Sequence, residues 1–281
     1  MNENICGVNR HPISTPFPEV NAILQVLLPE VRAILGDHFI GMVLYGSLTY
    51  GGFDQDSDVD FVVVTKDELP EGCFLNLQAM HIRISTFDSW CATQLEGSYI
   101  PQYALQRYDP QRALHLHLDR GPGECLERMQ IDDALLSRAW WGGWVLLRFV
   151  LRENGLTLAG PEPRALVPLV TPKDLKQATL AILQGWAEPL LDRPVELARR
   201  GYQSYTVLTL CRMLYTLNYG RIASKPEAAR WAQARLDEPW QALIERAWAG
   251  RHNPPAEASP EDVQGTLEFI RFTLETCSLV L

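Results

Sequence analysis

Residues 39–60 read FIGMVLYGSLTYGGFDQDSDVD, and the way this stretch folds decides how the rest of the chain is arranged. Ile40, Met42, Val43 and Leu44 make a short apolar run that stops at Gly46-Ser47. Asp58-Val59-Asp60 then leads into a second run, Phe61 to Val64. Both runs are short, rich in β-branched residues and bounded by Gly or Asp, which predicts two buried strands. Side chains two apart on a strand share a face. Asp58 and Asp60 therefore project together from the start of the second strand, beside the Gly-Ser turn. Paired carboxylates next to a glycine-permitted turn make a hard-oxygen site suited to magnesium and phosphate.

Two plainer readings compete. Asp54 and Asp56 extend the acidic run, as in a solvated loop. Aspartates at every second position also suggest a calcium loop, but its sixth position would be Val59 rather than Gly and its twelfth Thr65 rather than Glu.

Working outward, Phe17 to Leu35 carries Val20, Ile23, Leu24, Leu27, Val31 and Leu35 at helical spacing, with Pro29 expected to kink the helix. Residues 1–16 read as an irregular lead-in and Lys66 to Gln78 as a connection. Met80 to Thr86 alternates Ile82 and Ile84 with polar neighbours and predicts a third strand; Leu95 to Ile100 predicts a fourth. His115 and His117 share a spacing that places them on one strand face, a weak metal-site pattern better read as packing or surface histidines. Trp140, Trp141 and Trp144 open a predicted helix that ends at Asn154-Gly155. Gly160 to Pro172, with four prolines, reads as a linker. Helices are predicted over 173–192, 202–219, 225–236, 239–249 and 260–279. The fold class is therefore α+β: a mixed half over residues 1–160, then an α-helical half over 161–281.

Charge is uneven. Residues 1–160 hold 11 Lys and Arg against 20 Asp and Glu, whereas residues 161–281 hold 14 of each. Nucleic-acid polymers are gripped through basic patches, and an acidic half favours metal ions and cationic small molecules instead. No apolar run reaches the ~18 residues of a membrane span. Cys6, Cys73, Cys91, Cys125, Cys211 and Cys277 are scattered without a CxxC pair, and the opening MNENICGVNRHP lacks the regions of a secretory leader. A cytoplasmic protein with free thiols is expected.

Gly46-Ser47, Gly51-Gly52 and Ser57-Asp58-Val59-Asp60 resemble the signature of the nucleotidyltransferase superfamily. Nucleotidyl transfer needs divalent metal to bind the triphosphate and a base to deprotonate the acceptor. A third carboxylate is then expected on a neighbouring strand, and Glu96 in Gln94-Leu95-Glu96-Gly97-Ser98 fits better than Asp88, which sits in a turn-like context. In the second half, Ser224-Lys225-Pro226-Glu227 resembles a capping box. Lysine is electrostatically misplaced in a first helical turn unless it faces an anion such as phosphate, so Lys225 reads either as a phosphate-binding residue or as a solvated surface lysine. Arg212 lies among apolar neighbours and calls for an anionic partner, either a carboxylate or a ligand phosphate.

Leu158-Ala159-Gly160-Pro161, Val207-Leu208-Thr209-Leu210-Cys211-Arg212 and Ser224-Lys225-Pro226 extend the likeness over most of the chain. Together with the first-half blocks, they resemble the aminoglycoside nucleotidyltransferases of the streptomycin 3″-adenylyltransferase type. The resemblance implies a polymerase-β-like nucleotidyltransferase domain and a C-terminal helical domain. It also implies ATP with Mg2+ and transfer of AMP to a hydroxyl of a small, cationic antibiotic. On that pattern Asp58, Asp60 and Glu96 are the catalytic and metal-binding carboxylates, with Glu96 as base. Gly46, Ser47, Ser57, Arg212 and Lys225 fall at nucleotide-contacting positions. Arg199-Arg200-Gly201-Tyr202-Gln203 departs from the streptomycin-reading members, which carry an acidic residue there, so a different acceptor pocket is expected. The rival classes are a non-catalytic nucleotide-binding regulatory module of this fold, and a nucleotidyltransferase acting on protein or RNA.

Overall fold

The computed structural model describes residues 15–107, 115–121, 126–129 and 134–278, with backbone alone for 134–142 and 278. Apart from Thr15 and Pro16, the lead-in expected over residues 1–16 lies outside them.

Helix α1 (Pro18–Leu35) buries the six apolar positions that its spacing marks and continues through Pro29. Strands β1 (Phe39–Leu44) and β2 (Val59–Thr65) follow as the apolar runs require, with the short helix α2 (Ser47–Tyr50) between them. Helix α3 (Glu71–Ser85) occupies the segment from which a third strand was expected. Its buried residues, Leu77, Met80, His81 and Ile84, form a helical stripe, while Ile82 is exposed. The alternation over 80–86 is too short to outweigh that 3.6-residue period.

Next come β3 (Leu95–Pro101), α4 (Gln102–Gln106), β4 (His115–Leu118), β5 (Leu126–Met129), α5 (Ala134–Asn154) and β6 (Leu156–Ala159). The six strands form one sheet in the order β5-β4-β3-β2-β1-β6, parallel only between β2 and β3. Helices α1 and α3 pack on one face around Phe61 and Val63; Trp144, Leu151, Leu166 and Val167 cover the other around Val62 and Val64. β2 therefore lies in the middle of the sheet and is buried along its whole length except at Asp60. A strand covered on both faces reads as a continuous apolar run, so a carboxylate in it is a marked exception.

The proline-rich segment 160–172 is packed rather than free. Helix α6 (Pro163–Leu166) buries Pro163 and Leu166, and Val167 joins the core beside Trp144. The helical half comprises α7 (Pro172–Ile182), short turns to residue 198, α8 (Arg200–Tyr219), α9 (Lys225–Gln233), α10 (Glu238–Gly250) and α11 (Pro260–Ser278). α8 is buried on nearly all sides and forms the axis of the bundle. Buried Asp262 accepts from Arg200 at 2.5 Å and Arg246 at 2.6 Å, tying α8, α10 and α11 together.

Candidate active site

The site begins where β1 ends. Gly46 has φ +70°, and a Cβ there would fall inside the Asp60 carboxylate. Glycine is required on both counts. The adjoining Tyr45 N–H donates to the Asp60 carbonyl at 3.1 Å, so the turn lies directly on the aspartate strand. Ser47 opens α2, and its buried hydroxyl has no hydrogen-bond partner among the described residues. An orphaned polar atom beside an acidic cluster is what an absent oxyanion ligand would satisfy.

Asp58 precedes β2, Asp60 lies within it, and Glu96 sits beside Asp60 in the parallel β2–β3 register. One carboxylate oxygen from each of the three lies within 4.8 Å of the others. Burial and the neighbouring Asp58 and Glu96 push the Asp60 carboxyl well above the usual carboxylate range, with Lys225 and Arg212 pulling the other way. Burial and Asp58 likewise raise Glu96 to about 7, opposed by Arg120. Three crowded acids, two of them reluctant to ionise, fit a divalent cation: it would supply the missing charge, and all-oxygen donors suit magnesium.

The cations come from the helical half. Arg212, on α8, donates to the Tyr50 hydroxyl at 3.0 Å and the Ala223 carbonyl at 3.3 Å, and has no ion pair among the described residues. Lys225 opens α9 behind Ser224, whose hydroxyl caps the Glu227 N–H at 3.4 Å. Only half of the expected capping box forms, because Glu227 accepts from the Tyr215 hydroxyl instead. Burial and then Arg212 lower the Lys225 pKa, while Asp58 opposes them. Two cations crowded at a helix N-terminus repel each other until an anion lies between them.

Ser57 is placed differently from these. Its buried hydroxyl donates to Asp54 Oδ1 at 3.0 Å and accepts from the Asp54 N–H, so it is committed to the loop. Asp88 lies in the turn before the 3-10 segment Trp90–Thr93 and joins no metal-type cluster among the described residues. His115 packs against the Trp144 ring at 5.4 Å, and His117 shares a hydrogen bond with Ser98 at 2.9 Å. Among the described residues neither histidine belongs to a group of three possible metal ligands. Trp144 donates to the Ala104 carbonyl and is core; the side chains of Trp140 and Trp141 lie outside the description.

Several site residues escaped the sequence. Arg120 reaches Asp58 at 3.7 Å and the Asp56 carbonyl at 3.3 Å. Tyr50 anchors Arg212. Asp54 and Asp56, read above as the acidic end of a loop, pair with Arg251 and His252 of the helical half. Nothing local in the sequence marks pairs nearly 200 positions apart.

Comparison with known proteins follows the same division. The nucleotidyltransferase domain family matches residues 27–118, and the family described as aminoglycoside adenylyltransferase, C-terminal domain, matches residues 165–275. The chain thus carries a nucleotidyltransferase domain followed by a domain that matches the C-terminal domain of aminoglycoside adenylyltransferases. A spectinomycin 9-adenylyltransferase from Campylobacter jejuni is 26% identical to this adenylyltransferase-like chain, covering 92% of it and 96% of the relative. An aminoglycoside (3″)(9) adenylyltransferase from Escherichia coli is 25% identical, covering 90% and 94%. The fold is shared with the spectinomycin adenyltransferase AAD(9) from Enterococcus faecialis, whose crystal structure contains ATP and spectinomycin. That match has a TM-score of 0.66 at 18% identity and covers 90% of this chain and 98% of that one. Among the described residues no helix is long and apolar enough to cross a membrane.

Proposed function

We propose that this chain is a Mg2+- and ATP-dependent adenylyltransferase that transfers AMP to a hydroxyl of a small cationic aminocyclitol or aminoglycoside. The observation that carries the reading is the meeting of Asp58, Asp60 and Glu96 opposite Lys225 and Arg212. The domains divide near residue 160, so the carboxylates belong to 1–160 and the cations to 161–281.

Asp58 and Asp60, with Glu96 beside them, would hold magnesium. When bound, the metal supplies the positive charge that offsets what develops on the leaving pyrophosphate. Ser47 and the turn at Gly46 bind phosphate oxygens, the orphaned hydroxyl donating to one of them. Lys225 and Arg212 hold the outer phosphates by charge-assisted hydrogen bonds. Glu96, beside the two aspartates, takes the proton of the acceptor hydroxyl. Ser57 acts behind the phosphate site by holding the loop that leads into Asp58.

The acceptor reading leans toward spectinomycin-like aminocyclitols. It is supported by the names of the relatives and by Arg199-Arg200-Gly201-Tyr202-Gln203, where the streptomycin-type pattern calls for an acidic residue. A cytoplasmic setting suits the substrate ATP and the free Cys73, Cys91, Cys211 and Cys277; antibiotic resistance would be the physiological outcome. The test is pyrophosphate release from ATP and Mg2+ in the presence of spectinomycin, streptomycin or other aminocyclitols. Acceptor-dependent release is expected; its absence with every acceptor overturns the reading in favour of a non-catalytic module.

A further inference from the structure

Four contacts bring the helical half onto residues 50–56, the segment between the phosphate turn and the metal-binding carboxylates. Arg212 donates to Tyr50. A Cβ on Gly52 would come within 3.0 Å of Pro226 Cδ, so backbone lies directly against the start of α9. Arg251 pairs with Asp54, and His252 Nδ1 lies 2.5 Å from Asp56 Oδ2.

We propose that Arg251 is a positioning residue for nucleotidyl transfer, setting Lys225 and Arg212 in register with Asp58 and Asp60 through its hold on Asp54. The Asp54 carboxylate is shared. One oxygen takes Arg251, while the other accepts from the Ser57 hydroxyl at 3.0 Å and the Asp56 N–H at 3.2 Å. Ser57 immediately precedes Asp58, so tension on Asp54 reaches the first metal-binding carboxylate through one residue. Arg251 is itself held in place. Its side chain is 15% exposed, and its guanidinium lies 4.7 Å from the centre of the Trp248 ring. It follows the end of α10 and is near enough to Lys225 to contribute to lowering that residue's pKa. An ion pair that joins two halves of a site acts through geometry, where small misplacements are costly.

The inference rests on the adenylyl-transfer reading, which pyrophosphate release by the unaltered protein tests separately. Arg251→Ala, Asp54→Asn (which keeps an acceptor for Ser57) and the double variant are assayed with ATP varied, alongside thermal melting. Each single change is expected to lower kcat/KM for ATP on the order of 10- to 100-fold, with melting shifted by no more than ~4 °C. The double variant is expected to lose no more than the worse single variant, because both changes remove the same contact. Unaltered kinetics in the single variants overturn the proposal. Losses that multiply in the double variant also overturn it, because Arg251 would then act on the nucleotide directly or only on the fold.

Discussion

Asp60 and Glu96 stand side by side on parallel strands, paired in register across β2 and β3. Parallel neighbours direct paired side chains to the same face, about 4.8 Å apart. Two acids are thereby forced together in a part of the sheet that is otherwise apolar, and the protein must meet the electrostatic cost with cations from outside the sheet.

Glu96→Gln keeps the shape of this pair and removes the base. kcat for acceptor-dependent pyrophosphate release is expected to drop by roughly 10²–10⁴. ATP affinity, read by titration calorimetry, should change only a few-fold. Turnover at the normal rate would falsify the assignment of Glu96 as base.

Gly46→Ala introduces a methyl group where the Asp60 carboxylate lies, at a φ that side chains rarely adopt. Displacement of Asp60 is expected to lower kcat/KM by about 100-fold and to raise the magnesium concentration needed for half-maximal rate. A variant with an unshifted magnesium midpoint would show that the close approach at Gly46 has no bearing on the metal site.

Lys225→Ala removes one of the charge-assisted phosphate contacts proposed above. A rise in KM for ATP of about 10- to 100-fold is expected, corresponding to ~1.5–3 kcal/mol. Ser224→Ala, by contrast, removes a helix cap and should cost about 1 kcal/mol of stability. Denaturant melts and ATP kinetics on the two variants separate the roles; indistinguishable profiles contradict them.

His81 offers a pH test remote from the chemistry. It hydrogen-bonds the Tyr99 hydroxyl at 2.7 Å, and burial lowers its pKa to about 3 from an unfolded value of 6.5. Between those values the unfolded chain binds a proton that the folded chain refuses, so stability falls as pH drops below 6.5. The slope from this one group approaches ~1.4 kcal/mol per pH unit. His81→Gln should flatten that part of the curve in urea melts between pH 6.5 and 4.5. An unchanged slope would assign the acid sensitivity to other groups.

The sheet centre was legible because its signals are local. Apolar runs, a glycine turn and carboxylates at a spacing of two determine β1, β2 and the Asp58–Asp60 pair. The α1 stripe and the five later helices follow from the same kind of periodicity, except that α7 ends at Ile182, short of the expected 192, and gives way to tighter and wider turns. α3 was misread because Ile82 and Ile84 mimic strand alternation within a stripe set by Leu77, Met80, His81 and Ile84. The contacts of Arg120, Tyr50 and Arg251 were illegible for another reason: each partner is chosen by the tertiary fold. An aspartate paired across 197 positions looks in sequence like any solvated acid.

The division of charge between α8–α9 and β2–β3 has a consequence for turnover. Before nucleotide arrives, Lys225 and Arg212 already face the acids they help to neutralise. A triphosphate bound as proposed would draw both cations to itself, and its affinity would depend on how closely the seam is held. Slackening that seam by a small hinge movement would weaken the grip on every phosphate at once, giving pyrophosphate an exit without unfolding either half.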